Sequence, residues 1–526
     1  MKNKYIIFTL FLAVFMATAC SDVWDEHYKS YSEIKSNLNL YEYIKSQSDL
    51  STFAQMIEKS GYDSILSNSQ SYTVWAPVNS ALTDIDMTDT VLVKNLVKNH
   101  ISRFLYPTSD IETKTIYMLS TKFVVFKQAG TGYTFGGKNL STSNTAMANG
   151  IVHTIDGYVP YLYNIWEFIG RTAGLDSLKS FLYSQSDYVF DEKASVEIGT
   201  NALNQAIYDS VLVFSNSVLD KIGQLQIEDS IYAAILPDNN AWTKIYNQIQ
   251  SNYKTLNKSG GAEAQRLYTQ WAIVENLVFR IPDMQTDPLS ADSLFSTSGS
   301  LFNPSTYLFE NSTKNTLSNG FAYITDSLRF RASDAWQKPI TVEAEDSEYG
   351  RTTANSNLFI RSGLGSAYTV SENKYLVSEP TSVSKGSPNS VTFPLPNTLS
   401  GKYRIYCVFL PSSIISATDA RQYKVKYNLS YLNSAGIQVN DAAITLTNTI
   451  ATTTGAVAGI FWTDASVVTK MFVTQIEFPY CNIMSEESTN SDITVKLKVE
   501  NAALITETVK YDRTLRIDYI ILEPVQ

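Results

Sequence analysis

Two short segments constrain the fold of this chain more than anything else in it. The first, Tyr72–Leu82 (YTVWAPVNSAL), reads as a strand that stops at Ala76-Pro77. Thr73, Val74 and Trp75 favour extended backbone, and Pro77 pushes Ala76 out of the helical region. Asn79 is then placed to cap a short helix through Ser80, Ala81 and Leu82. The second, Asn149–Val159 (NGIVHTIDGYV), opens on an Asn-Gly turn and runs into apolar Ile151, Val152 and Ile155, with His153 and Asp156 interleaved. Helical spacing marks Leu40–Ser60, ended by Gly61, and Thr90–Phe104, where Val91, Leu92, Leu96, Val97, Ile101 and Phe104 share a face. Ile116–Phe126 and Gly132–Phe135 read as strands, so this part mixes helix and sheet.

These segments resemble the signature segments of the fasciclin domain. That family's first segment reads roughly Phe-Thr-Val-Phe-Ala-Pro-Thr-Asn-x-Ala-Phe, and its second Asn-Gly-x-x-His-x-Ile-Asp-x-Val. Thr73, Ala76, Pro77, Asn79 and Ala81 match the first, with Trp75 and Val78 as departures; Asn149, Gly150, His153, Ile155, Asp156 and Val159 match the second. Asn99-His100-Ile101 resembles a third marker, a helix-borne His. The pattern returns weakened. In Ile231–Trp242, Leu236, Pro237, Asn239 and Ala241 stand where Ala76, Pro77, Asn79 and Ala81 stood. Trp271–Arg280 parallels Leu96–Leu105, with Asn276 at the His100 position, and Asn319–Asp326 repeats Asn149–Asp156 with Tyr323 for His153. The reading is tandem α+β fasciclin-like domains over residues 40–163 and 164–333, the second degenerate, with residues 252–265 as a loop insertion. A His kept in one copy and dropped in the next reads as a buried structural group. The resemblance implies adhesion or protein and matrix contacts, and a fold alone names no ligand.

Residues 334–526 change character to short strands separated by Ser, Asn, Thr and Gly. Phe393–Leu395, Tyr403–Leu410, Tyr423–Tyr431, Ala443–Leu446, Phe472–Phe478, Ile493–Val499 and Leu515–Leu522 predict an all-β sandwich or jelly roll. ITVEAEDSEYG (Ile340–Gly350) and LRIDYIILEP (Leu515–Pro524) resemble the first and last strands of jelly-roll carbohydrate-binding modules. The resemblance implies that Glu343, Glu345 and Asp518 meet and hold a structural calcium, an ion that favours hard oxygen ligands; the alternative is solvated charge on edge strands. It also implies a sugar-stacking aromatic, for which Trp462 is the first candidate and Tyr349, Tyr368 and Tyr375 the next; the alternative for Trp462 is the core. Cys407 and Cys481 are read either as a disulfide in an oxidising compartment or as two buried thiols.

The N-terminus bears on compartment. Lys2 and Lys4, apolar Tyr5–Met16 and then Ala17-Thr18-Ala19-Cys20 make residues 1–19 resemble a lipoprotein signal peptide, which implies lipidation of Cys20 and a tether over residues 20–39. A plain secretory signal cut near Ala19 is the alternative. Acidic Asp22, Asp25 and Glu26 resemble a surface-export start in some Gram-negative bacteria, so the expected location is the outer membrane, facing outward. The net charge of −10 argues against a nucleic-acid partner. An Asp, Ser/Thr, apolar tripeptide places Ser64, Thr90, Ser177, Ser210, Ser230, Ser293 and Ser327 in what resembles an O-glycosylation sequon of gut anaerobes, or else in helix caps. There is no nucleophile elbow, phosphate loop or Cys/His ligand spacing, so no enzyme is expected, and no cofactor beyond the calcium. The expected function is non-enzymatic adhesion or protein and matrix binding by a lipid-anchored surface protein. The alternatives are glycan capture beside an outer-membrane nutrient transporter and, more remotely, a cryptic glycan hydrolase.

Overall fold

The computed structural model describes residues 37–200, 206–381, 387–445, 459–484 and 488–525. Cys20, the signal segment and nearly all of the tether lie outside the described residues. The chain forms two compact bodies. One comprises residues up to Phe168 with Leu225–Ser230 and Leu317–Asn319; the other comprises Ile169–Gln224, Ile231–Thr316 and Gly320–Gln526.

The first body is built on a seven-stranded sheet in the order Ile101–Arg103, Tyr72–Pro77, Gly150–Ile155, Lys138–Met147, Gly132–Phe135, Phe123–Ala129, Thr113–Tyr117. Its two signature strands are parallel neighbours, with Tyr72 opposite Gly150 and Trp75 opposite His153. Every residue of both is buried, as befits strands covered on both faces. Successive side chains point to opposite faces. Val74 and Ala76 therefore pack with Leu40, Phe53, Met56, Ile57 and Leu96 of the helices, while Trp75 joins Phe126, Phe135 and Ile155 on the other side.

Leu40–Ser60 is helical as its spacing predicts, in two helices, Leu40–Ser46 and Ser51–Ser60, the first opened by an Asn39–Glu42 capping box and the second closed by Gly61 at φ +75°. Other local expectations are corrected. The helix from Thr90 ends at Lys98, and Ile101–Arg103 instead pairs antiparallel with Tyr72–Val74. His100 thus sits past the helix end. Ile116–Phe126 is two strands, Thr113–Tyr117 and Phe123–Ala129, reversing around Thr121 at φ +67°.

In the second body Ile231–Pro237 runs parallel to Gly320–Thr325 and antiparallel to Val278–Ile281, with Ser312–Leu317 at the far edge. Tyr232 faces Gly320 as Tyr72 faces Gly150. Ala234 pairs with Val278 as Val74 pairs with Ile101. This register shifts one assignment: Leu277 stands at the His100 position, and Asn276 at that of Asn99. The expected loop insertion at 252–265 is partly helical, because the helix Gly261–Val274 begins within it.

The C-terminal sandwich has two six-stranded sheets. In one, Ser356–Ser362, Lys374–Pro380, Leu515–Pro524, Gly401–Phe409 and Thr469–Phe478 lie side by side, and Ile340–Glu343 also pairs with Leu515–Pro524. In the other the order is Thr352–Ala354, Ser390–Pro394, Lys496–Asn501, Lys424–Leu432, Gln438–Ala443, with Phe461–Trp462 on Lys424–Leu432. The expected strand at Ala443–Leu446 ends at Ala443 instead, and Leu446 lies outside the described residues. Thus α+β fasciclin-like structure is followed by an all-β sandwich. The Cys407–Cys481 disulfide is not formed; both are free thiols. Cys407 is opposite Met471, whereas Cys481 lies three residues beyond Phe478, which faces Gly401. At about 3.3 Å per residue that separates them by several residue lengths, well past the ~7 Å limit between bridged Cα atoms.

Candidate functional site

The signature side chains act as connectors between segments. The Asn149 amide oxygen accepts from the Leu40 N–H (2.9 Å), and its NH2 donates to the carbonyls of Leu66 (2.8 Å) and Asn68 (2.6 Å). At the next residue a Cβ would run into the Tyr72 carbonyl oxygen, so the close strand approach requires Gly150. Asn79 does not cap the turn that follows it. Its oxygen accepts from the Thr52 N–H (2.8 Å) and its NH2 donates to the Ser48 carbonyl (2.9 Å), so it caps the distant helix at Ser51. Thr73 bridges the Phe104 carbonyl and the Tyr106 N–H, and Asp156 accepts from the backbone and side chain of Asn139. Ala76 is in the core, and Pro77 ends the strand opposite Ile155.

His100 and His153 are both buried and neutral, in opposite tautomers. The Leu96 carbonyl can only accept, so His100 carries its proton on Nδ1 (2.8 Å); Nε2 accepts from the Val159 N–H (2.9 Å). His153 donates from Nε2 to the Tyr106 carbonyl (2.9 Å) and accepts at Nδ1 from the Asn144 N–H (3.2 Å). Burial lowers each pKa to about 4. Trp75 stacks on Phe135 with ring centroids 4.2 Å apart and leans on His153 at 5.7 Å. Neither His100 nor His153 has a ring nitrogen left over for a substrate.

The same connections recur. Asn319 accepts from the Ile165 N–H (2.9 Å) and donates to the carbonyls of Leu225 and Ile227 (2.9 and 3.0 Å). Asn239 accepts from the Ser177 N–H (2.9 Å), and a Cβ at Gly320 would strike the Tyr232 carbonyl.

In the sandwich, Ser371 links two of the expected calcium ligands. Its hydroxyl donates to Glu343 Oε1 (2.8 Å) and its N–H to Asp518 Oδ1 (3.1 Å). Glu343 Oε2 and Glu345 Oε2 are buried without a hydrogen-bond partner. Burial, then the Glu343 and Glu345 charges, push the Asp518 carboxyl up to about 7 against the pull of the Ser371 N–H. Among the described residues no group of three His, Cys, Asp or Glu stands at metal-ligand spacing.

The aromatic candidates do not share a cavity. Tyr375 is 2% exposed and packs with Val370, Val377 and Leu410, so it is core and not a platform. Tyr349 lines a cavity of about 160 Å³ with Arg351, Thr392, Asn490 and Lys496, and without the other three. Trp462 is half-buried opposite Lys424, and the Tyr368 hydroxyl bonds Ser413 at 2.7 Å. Of the sequon residues, Ser64, Thr90, Ser210 and Ser293 are exposed, while Ser177, Ser230 and Ser327 are half-buried. At Thr90 the preceding Asp89 is a helix cap, accepting from the Val91 and Leu92 N–H groups.

Sequence reasoning passed over a larger cavity, about 1120 Å³, in the second body. Lys221, Tyr268, Trp271 and Glu275 line it. Its one sequence signal is the spacing of Tyr268, Trp271 and Glu275 along a single helix face.

The fasciclin domain family model matches residues 48–159, so the chain carries a fasciclin domain there. No curated protein matches the chain. Among solved structures, the FAS1 domain pair of the insect cell adhesion molecule fasciclin I is 14% identical over 54% of this chain and 98% of its own, with a TM-score of 0.21. A xylan-binding domain of carbohydrate-binding module family 22 is 14% identical over 35% of this chain and 92% of its own (TM-score 0.20). A family 35 carbohydrate-binding module from Clostridium thermocellum is 13% identical over 36% of this chain and 99% of its own (TM-score 0.17).

Proposed function

We propose that the chain is a non-enzymatic surface protein that makes adhesive or protein and matrix contacts through its fasciclin domain. The observation that supports this most is the internal use of the signature polar groups. Asn79, His100, Asn149 and His153 hydrogen-bond to the chain itself and stay neutral, which suits a scaffold that presents an outer surface. In this reading residues 164–333 are a second, diverged fasciclin-like domain, Cys20 carries the lipid anchor, and the protein stands on the outer membrane. The exposed sequon residues Ser64, Thr90, Ser210 and Ser293 are then the sites open to O-glycosylation.

The second reading is glycan capture beside a nutrient transporter, favoured by the Tyr349 cavity on the sandwich. We infer from donor type and from the two orphaned carboxylate oxygens that Glu343, Glu345 and Asp518 would hold a divalent cation once drawn together, since they do not stand at metal-ligand spacing as they are. It would neutralise their mutual repulsion where first and last strands meet.

Purification of membrane complexes on the full chain separates the readings. A host or cell-wall component retained by the protein supports adhesion, and a co-purifying transporter supports glycan uptake. Cys20→Ser should release the protein from the membrane fraction, and unchanged detergent partitioning would refute the anchor.

A further inference from the structure

The large cavity of the second body lies between one face of the helix Gly261–Val274 and the sandwich segments at Asn397, Leu399, Ile483 and Met484. Leu267, Trp271 and Glu275 follow at intervals of four residues and Tyr268 sits one place on, so the helix presents them as one stripe. Lys221 and Tyr253 also line the cavity.

The polar groups here contrast with those of the fasciclin motif. Among the described residues, the Lys221 ammonium, the Glu275 carboxylate, the Tyr253 and Tyr268 hydroxyls and the Trp271 Nε1–H make no hydrogen bond; Lys221 rests over the Trp271 ring, 4.8 Å from its centroid. Burial among these walls pushes the Glu275 carboxyl up, and Lys221 and Lys338 draw it partly back. A roomy site with aromatic walls and a few convergent, uncommitted polar groups is built for a ligand.

We propose that this cleft binds a neutral oligosaccharide. The C–H faces of pyranose rings pack against aromatic rings, and each sugar hydroxyl both donates and accepts. Glu275 accepts from such hydroxyls, Lys221 and the Trp271 N–H donate to them, and the tyrosine hydroxyls do either. A hydrocarbon ligand would strip water from these groups and return no partner. A strongly charged ligand would meet Lys221 and Glu275 together, one of them repulsive. The site stands apart from Tyr349 and Trp462 and needs neither.

The test is calorimetry of the full chain against xylohexaose, cellohexaose, mannohexaose and maltohexaose. Neither the Lys221 nor the Glu275 side chain hydrogen-bonds to another described residue, so Lys221→Met and Glu275→Gln leave the fold intact. The expected result is micromolar to millimolar binding of at least one hexasaccharide, about tenfold weaker in Glu275→Gln and Tyr268→Phe at unchanged melting temperature, and unchanged in Tyr349→Ala and Trp462→Ala. No heat with any of these sugars would overturn the proposal. Binding that survives the cleft variants and disappears with Tyr349→Ala or Trp462→Ala would also overturn it, while leaving the sandwich reading intact.

Discussion

His100 has one workable protonation state, because an obligate acceptor and an obligate donor hold its two nitrogens; His153 is bound in the same way with the nitrogens exchanged. The unfolded chain protonates both near 6.5, whereas the fold resists until about 4. Their contribution to stability is therefore complete above about pH 6.5 and is lost as pH falls toward about 4. Urea titrations across that window should show it, and His153→Gln should flatten the slope. Asn149→Ala leaves the Leu40 N–H and two carbonyls without partners, so we expect a loss of about 2–4 kcal/mol; Asp156→Ala, at an exposed site, should cost under about 1.5 kcal/mol. Chemical denaturation of both variants checks the order. The sequence made these residues legible as a motif. It did not reveal their partners: Asn79 looked like a cap for its own turn because the helix it caps begins 28 residues upstream.

At the level of elements, the errors share a cause. Ile101–Arg103 continues the apolar spacing of the helix before it, and only its pairing with Tyr72–Val74 makes it a strand. Lys138–Met147 is mostly polar and buries only Met147, so no hydrophobic pattern announced it. The parallel signature pair was legible because both strands are apolar and end in Pro or begin in Gly. Gly150→Ala should separate that pair, since the new methyl meets the Tyr72 backbone, which cannot swing aside. We expect loss of cooperative unfolding. Gly61→Ala, with open space around it and only its φ of +75° opposing, should cost about 1 kcal/mol. Circular-dichroism melts of the two variants distinguish a packing role from a conformational one.

For the molecule as a whole, long-range electrostatics was invisible in the sequence. Within the first body Lys122, its side chain 4% exposed, binds Glu167 (2.8 Å), Glu228 (2.6 Å) and Ser318 (3.2 Å), residues 45, 106 and 196 positions away. Lys122→Ala strands a buried Glu228 and should cost about 3–5 kcal/mol, while Lys122→Met with Glu228→Gln should recover much of it; a double-mutant cycle measures the coupling. In the second body Asp518 titrates the other way from the histidines. Its folded pKa near 7 exceeds the unfolded value of about 3.9, so without a cation the fold loses stability as pH rises between these limits. Calcium should reverse that trend above about pH 7, chelation should restore it, and Asp518→Asn should abolish both responses in thermal melts.

The two Asn-Gly pairs have a chemical consequence. In an open chain, the backbone nitrogen of a glycine attacks the preceding asparagine amide with ease, and the residue ages to aspartate or isoaspartate. Asn149 and Asn319 are each 6% exposed or less, with the amide oxygen and both amide hydrogens engaged by fixed backbone groups. The strand that begins at each glycine is paired at that residue, Gly150 with Tyr72 and Gly320 with Tyr232, so the attacking backbone is fixed in the sheet. Deamidation at these sites thus waits for the strand to open, and the slow appearance of acidic charge variants serves as a clock for how often it does.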